Sequence, residues 1–232
     1  MIATKSYCLS SPQSCDWHQL HSSWARVSAT ILQGSIICHS DMQRFGPPGL
    51  TAGGVVYTRW GRTTCPTTSG TQLIYAGTAA GSWRDQNGGG AEYLCLPGDP
   101  NYLSYTNGVQ DSRSYLYGAE YKTYNSAAYS TVLHHNVPCA VCYASTRGTV
   151  MMIPGKTVCP SSWIREYYGY LMAAYHAFPR TKYECMDHSP QSIPGSSSHR
   201  EGANFHQVEA RCYGICPPHT DGRELTCTVC TK

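Results

Sequence analysis

Charge is scarce in this sequence. Asp, Glu, Lys and Arg make up 13% of its 232 residues, and the formal net charge is only +3. Such a balance lacks the basic field that drives nucleic-acid or anionic-membrane binding. No apolar run reaches the roughly 18 residues of a membrane span. The opening residues MIATKSYCLSSPQSC lack an apolar h-region and do not read as a signal peptide. There is no N-x-[ST] sequon, no G-x-S-x-G elbow and no H-E-x-x-H pair, so the common hydrolase and zinc-peptidase signatures are missing. The glycine run Asn87 to Glu92 has neither the Lys nor the following helix of a phosphate-binding loop. No cofactor or metal is therefore expected.

What is plentiful points elsewhere. Eighteen Tyr, 22 Gly and 14 Pro beside three Phe favour short strands and many turns over long helices. Thirteen Cys argue for an oxidising compartment. The absent leader conflicts with that, and the extensive cysteine pattern outweighs it, so a secreted, extracellular protein is expected. The length allows one large domain or two of about 100 residues.

Residues 1–45 form an arm of different character. Trp17, Leu20, Trp24, Val27 and Ile31 recur at the spacing of an amphipathic helix, and Gly34 ends the pattern. Two heptads hardly persist alone in water, so the segment is expected to be a trimerising or docking helix, a helix packed on its own domain, or a poorly ordered arm. A Gly/Pro linker, 46–52, follows; it contains two Gly-X-Y triplets, too few for a triple helix.

From residue 53 onward the chain repeats itself. Residues 53–146 form the first copy and 147–232 the second, and the junction runs from Cys139 to Pro160. Cys65 matches Cys159, Tyr75 and Gly77 match Tyr167 and Gly169, and Cys95 matches Cys185. Cys139 and Cys142 match Cys227 and Cys230. The order is kept while the separation shrinks gradually, as loop shortening in a duplicated unit requires. Strands are expected at Val55–Thr58, Gln72–Tyr75, Tyr93–Leu96 and Val150–Ile153, and by analogy at Trp163–Met172.

Each copy orders its cysteines as Cys-Pro, a single Cys, then C-x-x-C. A nested scheme joins first with last and second with third: Cys65–Cys142 and Cys95–Cys139, then Cys159–Cys230 and Cys185–Cys227. Cys212 and Cys216 would close a small loop. Sequence alone does not fix connectivity; duplication demands only that both copies pair alike. Two C-x-x-C pairs also suit a four-thiolate zinc site, but they lie in separate copies. Redox C-x-x-C motifs use a helix N-terminus, whereas these sit among strand-formers. Cys8, Cys15 and Cys38 leave an odd thiol that is free or bridged to another chain.

The segments VYTRWGRTTCP, GTQLIYAG, VPCAVC, VMMIPGKTVCPSSWIREYYGYLM and LTCTVC resemble the C-terminal non-collagenous domain of type IV collagen. They resemble still more closely the short-chain, spongin-type collagen domain of sponges and other invertebrates. That resemblance, over 53–232, implies a tandem duplicated, disulfide-rich, all-β domain of two pseudo-symmetric halves, bonded in the nested manner and assembling as a trimer-type homo-oligomer. It also implies matrix assembly, with GPPGLT falling where a collagenous tract would end.

Other candidate sites are weaker. Arg59, Trp60 and Arg62 combine an aromatic face with two cations, suited to an anionic sugar or nucleic acid, though they lie inside a shared motif. Trp83 and the Tyr-rich stretch from Tyr102 to Tyr117 offer a recognition surface for a glycan or protein. His134 and His135 would face opposite sides of a strand and could not easily share one metal, while His134 by itself is an alternative catalytic or metal candidate. Asp187 and His188 with His199, His206 and His219 could converge with Glu201 or Glu209, giving a catalytic or metal alternative. The expected function is a secreted, non-enzymatic module in matrix assembly or ligand binding. The alternative is a secreted defence protein or cytotoxin on the same scaffold, glycan-binding or with hydrolase (nuclease-like) activity.

Overall fold

The structure, a computed structural model, describes residues 28–32, 35–39, 53–68, 70–197 and 199–232. Among these residues there is no α-helix; a single 3₁₀ turn, Ala127–Tyr129, accompanies twelve strands. The chain divides into a unit over 1–50 and a unit over 51–232. In the first, β1 (Ser28–Leu32) pairs antiparallel with β2 (Ser35–His39). Ile31 thus belongs to a strand, and the expected helix does not reach it. Ala-Thr-Ile-Leu and Ile-Ile-Cys are rich in β-branched residues, which overrides a spacing that also fits a helix. Trp17, Leu20, Trp24 and Val27, with Cys8 and Cys15, lie outside the described residues.

The second unit is built twice from five strands. The first copy supplies β3 (Val55–Trp60), β4 (Thr71–Gly81), β5 (Leu94–Pro97), β6 (Tyr117–Tyr121) and β7 (Pro138–Ala144). The second supplies β8 (Val150–Pro154), β9 (Ile164–Ala173), β10 (Glu184–Asp187), β11 (Ala203–Gln207) and β12 (Thr226–Thr231). The pairings repeat strand for strand. In the first copy β4 pairs with β5, β6 and β7, and β3 with β7; in the second β9 pairs with β10, β11 and β12, and β8 with β12. Tyr57 lies opposite Cys142 as Met151 lies opposite Cys230, so the registers match too.

Even the irregularities are duplicated. The β4–β7 ladder slips at Ile74, and the β9–β12 ladder slips at the equivalent Glu166. Gly77 and Gly169 mark another shared constraint. A Cβ at Gly77 would collide with the Leu96 carbonyl oxygen, and one at Gly169 with that of Met186. Only a residue without a side chain lets β5 approach β4, and β10 approach β9, so closely.

Four disulfides brace the copies: Cys65–Cys142 and Cys95–Cys139, then Cys159–Cys230 and Cys185–Cys227. A fifth, Cys212–Cys216, closes a short loop. Each long bridge spans 42 to 77 residues, worth about 4 kcal/mol in the chain-entropy model.

The copies do not fold side by side. β10 keeps its ladder with β9 and also lies parallel to β3 of the other copy, with Met186 opposite Trp60, and β6 lies parallel to β11. Both hydrophobic cores are shared. One joins Trp60, Tyr93, Tyr121 and Tyr129 to Met172, Met186 and Phe205; the other joins Tyr57 and Cys142 to Tyr167, Leu171, Cys227 and Val229.

Glu166 fastens the join. Its buried carboxylate accepts hydroxyl protons from Tyr57 (2.8 Å), Thr68 (3.1 Å) and Thr71 (3.4 Å) of the first copy and from Thr231 (2.7 Å) of the second. Removing it strands two buried hydroxyls, of Tyr57 and Thr231, and two part-buried ones at once. We expect Glu166→Ala to lower the free energy of unfolding by about 3 kcal/mol in urea titration, with all disulfides intact.

Candidate functional site

Two regions hold unusual chemistry, and the duplication makes the first visible. In the second copy β10 is sandwiched between β9 and β3, and Cys185, Met186 and Asp187 are buried. Among the described residues its counterpart β5 pairs with β4 alone, and Leu94 and Leu96 are 48% and 40% exposed. β8, the counterpart of β3, likewise ends the sheet with β12 as its single ladder neighbour among the described residues.

The side chains tell the same story. Tyr167 donates to Cys185 O (3.1 Å) and reaches across to Thr58 O (3.0 Å) of the other copy. Its equivalent Tyr75 donates to Cys95 O (3.1 Å) and stays part-exposed. Buried Glu166 corresponds to Ile74, which is 56% exposed. Along the occupied edge Arg59 clamps Asp187, with Nε at 2.8 Å and a terminal nitrogen at 2.7 Å from one carboxylate oxygen. The corresponding open-edge residues are Ile153 and Pro97. The free edges are therefore apolar where the joined ones are ionic.

Arg59, Trp60 and Arg62 each already have a partner within the chain. Trp60 is buried and donates from Nε1 to Glu184 (3.0 Å), while Arg62 donates to Ser189 O (2.8 Å). They hold the β3–β10 junction. Trp83 packs edge-on against Tyr117. Tyr102, Leu103, Tyr105 and Val109 are strongly exposed, as a recognition loop would be.

The second region is a cluster of ionisable side chains where the copies meet. Glu120 lies on β6, Lys122 follows the end of that strand, His134 lies in the turn before β7, and His199 comes from the loop before β11. His134 and His135 are thus in a turn, not a strand. Glu120, His134 and His199 bring one donor atom each to within 4.8 Å of the others. The two Nδ1 atoms stand 2.7 Å apart. Lys122 Nζ sits 2.8 Å from Glu120 Oε2, 2.9 Å from His199 Nδ1 and 3.3 Å from His134 Nδ1. Glu120 Oε1 also accepts from Arg200 N at 2.6 Å. On the outer side His199 Nε2 faces Glu201 Oε1 at 3.1 Å, and Glu201 is held by Arg84. Partial burial, then Lys122 and His199, hold His134 below the ordinary histidine range.

The histidines grouped in the sequence do not converge. His188 stacks on Tyr168 and lies 3.4 Å from Asp187, whose carboxylate is already taken by Arg59 and by Ser189 N. His206 sits apart on β11 beside Tyr175 and Phe178. His199 instead joins His134 and Glu120. No spacing rule links three residues so distant in sequence; the parallel β6–β11 pairing does.

His206 Nε2 is buried with no hydrogen-bond partner among the described residues. Burial, then the positive charges of Lys122 and Arg84, push its pKa down to about 4. Folding therefore favours the neutral ring: nothing is lost above the unfolded value near 6.5, and stability falls as pH drops toward 4. We expect a loss on the order of 2 kcal/mol over that window after discounting for partial exposure. The pH dependence of the urea midpoint should flatten in His206→Phe.

Compared with known proteins, the chain matches no family model and no solved structure.

Proposed function

We propose that this chain is a secreted, non-enzymatic structural module that assembles head to tail with copies of itself in the extracellular matrix. One observation carries the reading: the edge that β3 offers to β10 within the chain has an unused duplicate. β5, with Leu94 and Leu96, together with Ile74 and Tyr75 of β4, presents one half of a contact, and β8, with Met152, Ile153 and Pro154, presents the other. Placing β5 of one molecule on β8 of the next reproduces the internal join, with Leu96 against Pro154 as Met186 lies against Trp60. Because the two halves differ, the contact is heterologous and closes into a ring when its rotation permits.

Five disulfides fit an oxidising destination, and among the described residues no helix is long and apolar enough to cross a membrane. The resemblance to non-collagenous collagen domains supports the same reading. Exposed apolar strand edges also need covering, since they otherwise template aggregation.

Light scattering coupled to size exclusion tests this. The native chain should elute as a defined oligomer, and Leu94→Lys with Leu96→Lys should yield a folded monomer with five disulfides. A native chain that remains monomeric throughout the micromolar range overturns the proposal.

A further inference from the structure

The cluster at the junction of the copies has a use that assembly does not require. The exchange of β6 against β11 gathers an oxygen donor and two imidazole nitrogens around one point. The tautomer of His199 follows from its neighbours. Its Nε2 donates to Glu201 Oε1 at 3.1 Å, which leaves the Nδ1 lone pair turned inward. That lone pair meets His134 Nδ1 at 2.7 Å. Two bare lone pairs do not approach so closely; a proton on one, or a shared cation, must lie in the gap.

The surroundings already behave as a cradle for positive charge. The Lys122 ammonium contacts all three groups and is itself almost fully buried. A carboxylate behind a histidine, here Glu201 held by Arg84, is the usual outer support of a metal-bound imidazole. The side chain of His199 is 47% exposed, which opens a route from solvent. Both histidines occupy the left-handed backbone region, at φ 64° and 47°, an unfavourable conformation for a side-chain-bearing residue.

We propose that Glu120, His134 and His199 form a binding site for one divalent transition metal of the zinc type, clipping the turn before β7 to the loop before β11. One carboxylate and two imidazoles suit zinc and its neighbours, not calcium or magnesium, which take oxygen ligands. Zinc enters by displacing the Lys122 ammonium toward solvent and the proton shared by the two rings to bulk water. Glu201 acts as a positioning residue for His199. The site does not depend on whether copies assemble, because all its residues come from one chain.

The test is zinc titration by isothermal calorimetry of the full, disulfide-intact chain stripped with chelator, at neutral pH. One zinc per chain is expected, and cobalt(II) in its place should give the visible bands of a four-coordinate ion. His199→Ala and His134→Ala should each weaken binding by at least about tenfold, and Glu201→Gln by roughly tenfold. Lys122→Met removes the competing charge and should tighten it. Near-ultraviolet circular dichroism on each variant confirms native packing; His199→Ala, altering an exposed ring, is the variant least exposed to misfolding. Absence of zinc binding overturns the proposal. So does binding that survives His199→Ala unchanged, since the metal would then sit on other surface histidines.

Discussion

Two cysteines three residues apart on a strand point to opposite faces, and this fact organises the molecule. Cys139 and Cys142 sit on β7, and Cys227 and Cys230 on β12, the strands onto which their neighbours pair. Cys139 enters one core and Cys142 the other, so the two bridges leave β7 from opposite sides. The same spacing on a helical turn would place both thiols on one face, where metal or redox chemistry begins. On a strand it makes a two-sided brace. The strand setting thus decides what C-x-x-C means here.

With each copy braced, the halves were free to exchange elements without losing their own frames. β10 serves as an edge for its own β9 and for the other copy's β3. Polar groups pinned by this exchange are buried and satisfied from both sides: Glu166 by hydroxyls of both copies, Asp187 by Arg59, and the Tyr129 hydroxyl by the carbonyls of Met186 and Asp187. Buried polar groups of this kind fix a single register, because any slip leaves them unpaired. The exchange uses one β3-type edge and one β5-type strand, and leaves one of each unused. Asymmetry at the surface is the direct consequence of a linear chain joining two equal units.

Much of the frame was legible in the residues. The five segments expected as strands, from Val55–Thr58 to Trp163–Met172, coincide with β3, β4, β5, β8 and β9. Their β-branched and aromatic runs are bounded by Gly, Pro and Ser, and duplication let a clear copy interpret an ambiguous one. β6 and β11 gave no such signal, because Tyr-Gly-Ala-Glu-Tyr and Ala-Asn-Phe-His-Gln carry polar residues that the junction buries. In the arm Ile31 alone of the expected helical positions is described, and it misled because it fits both a helical spacing and a β-branched run. Among the histidines, His199 meets Glu201 as the sequence suggested, whereas His188 and His206 stay apart. His188 and His206 are near one another in sequence, yet partners were chosen by a parallel strand pairing across the two copies.

By itself, the order of residues determined the all-β class, the twofold repetition and the cysteine order that a nested wiring can satisfy. Those are local or periodic properties, carried by composition, spacing and self-similarity. Only the tertiary structure decided that the halves interlock, which strand edges stay open, and that Glu120, His134 and His199 share one point. Each depends on which strand lies beside which across the repeat boundary, a choice made by burial and by polar groups finding partners far away along the chain.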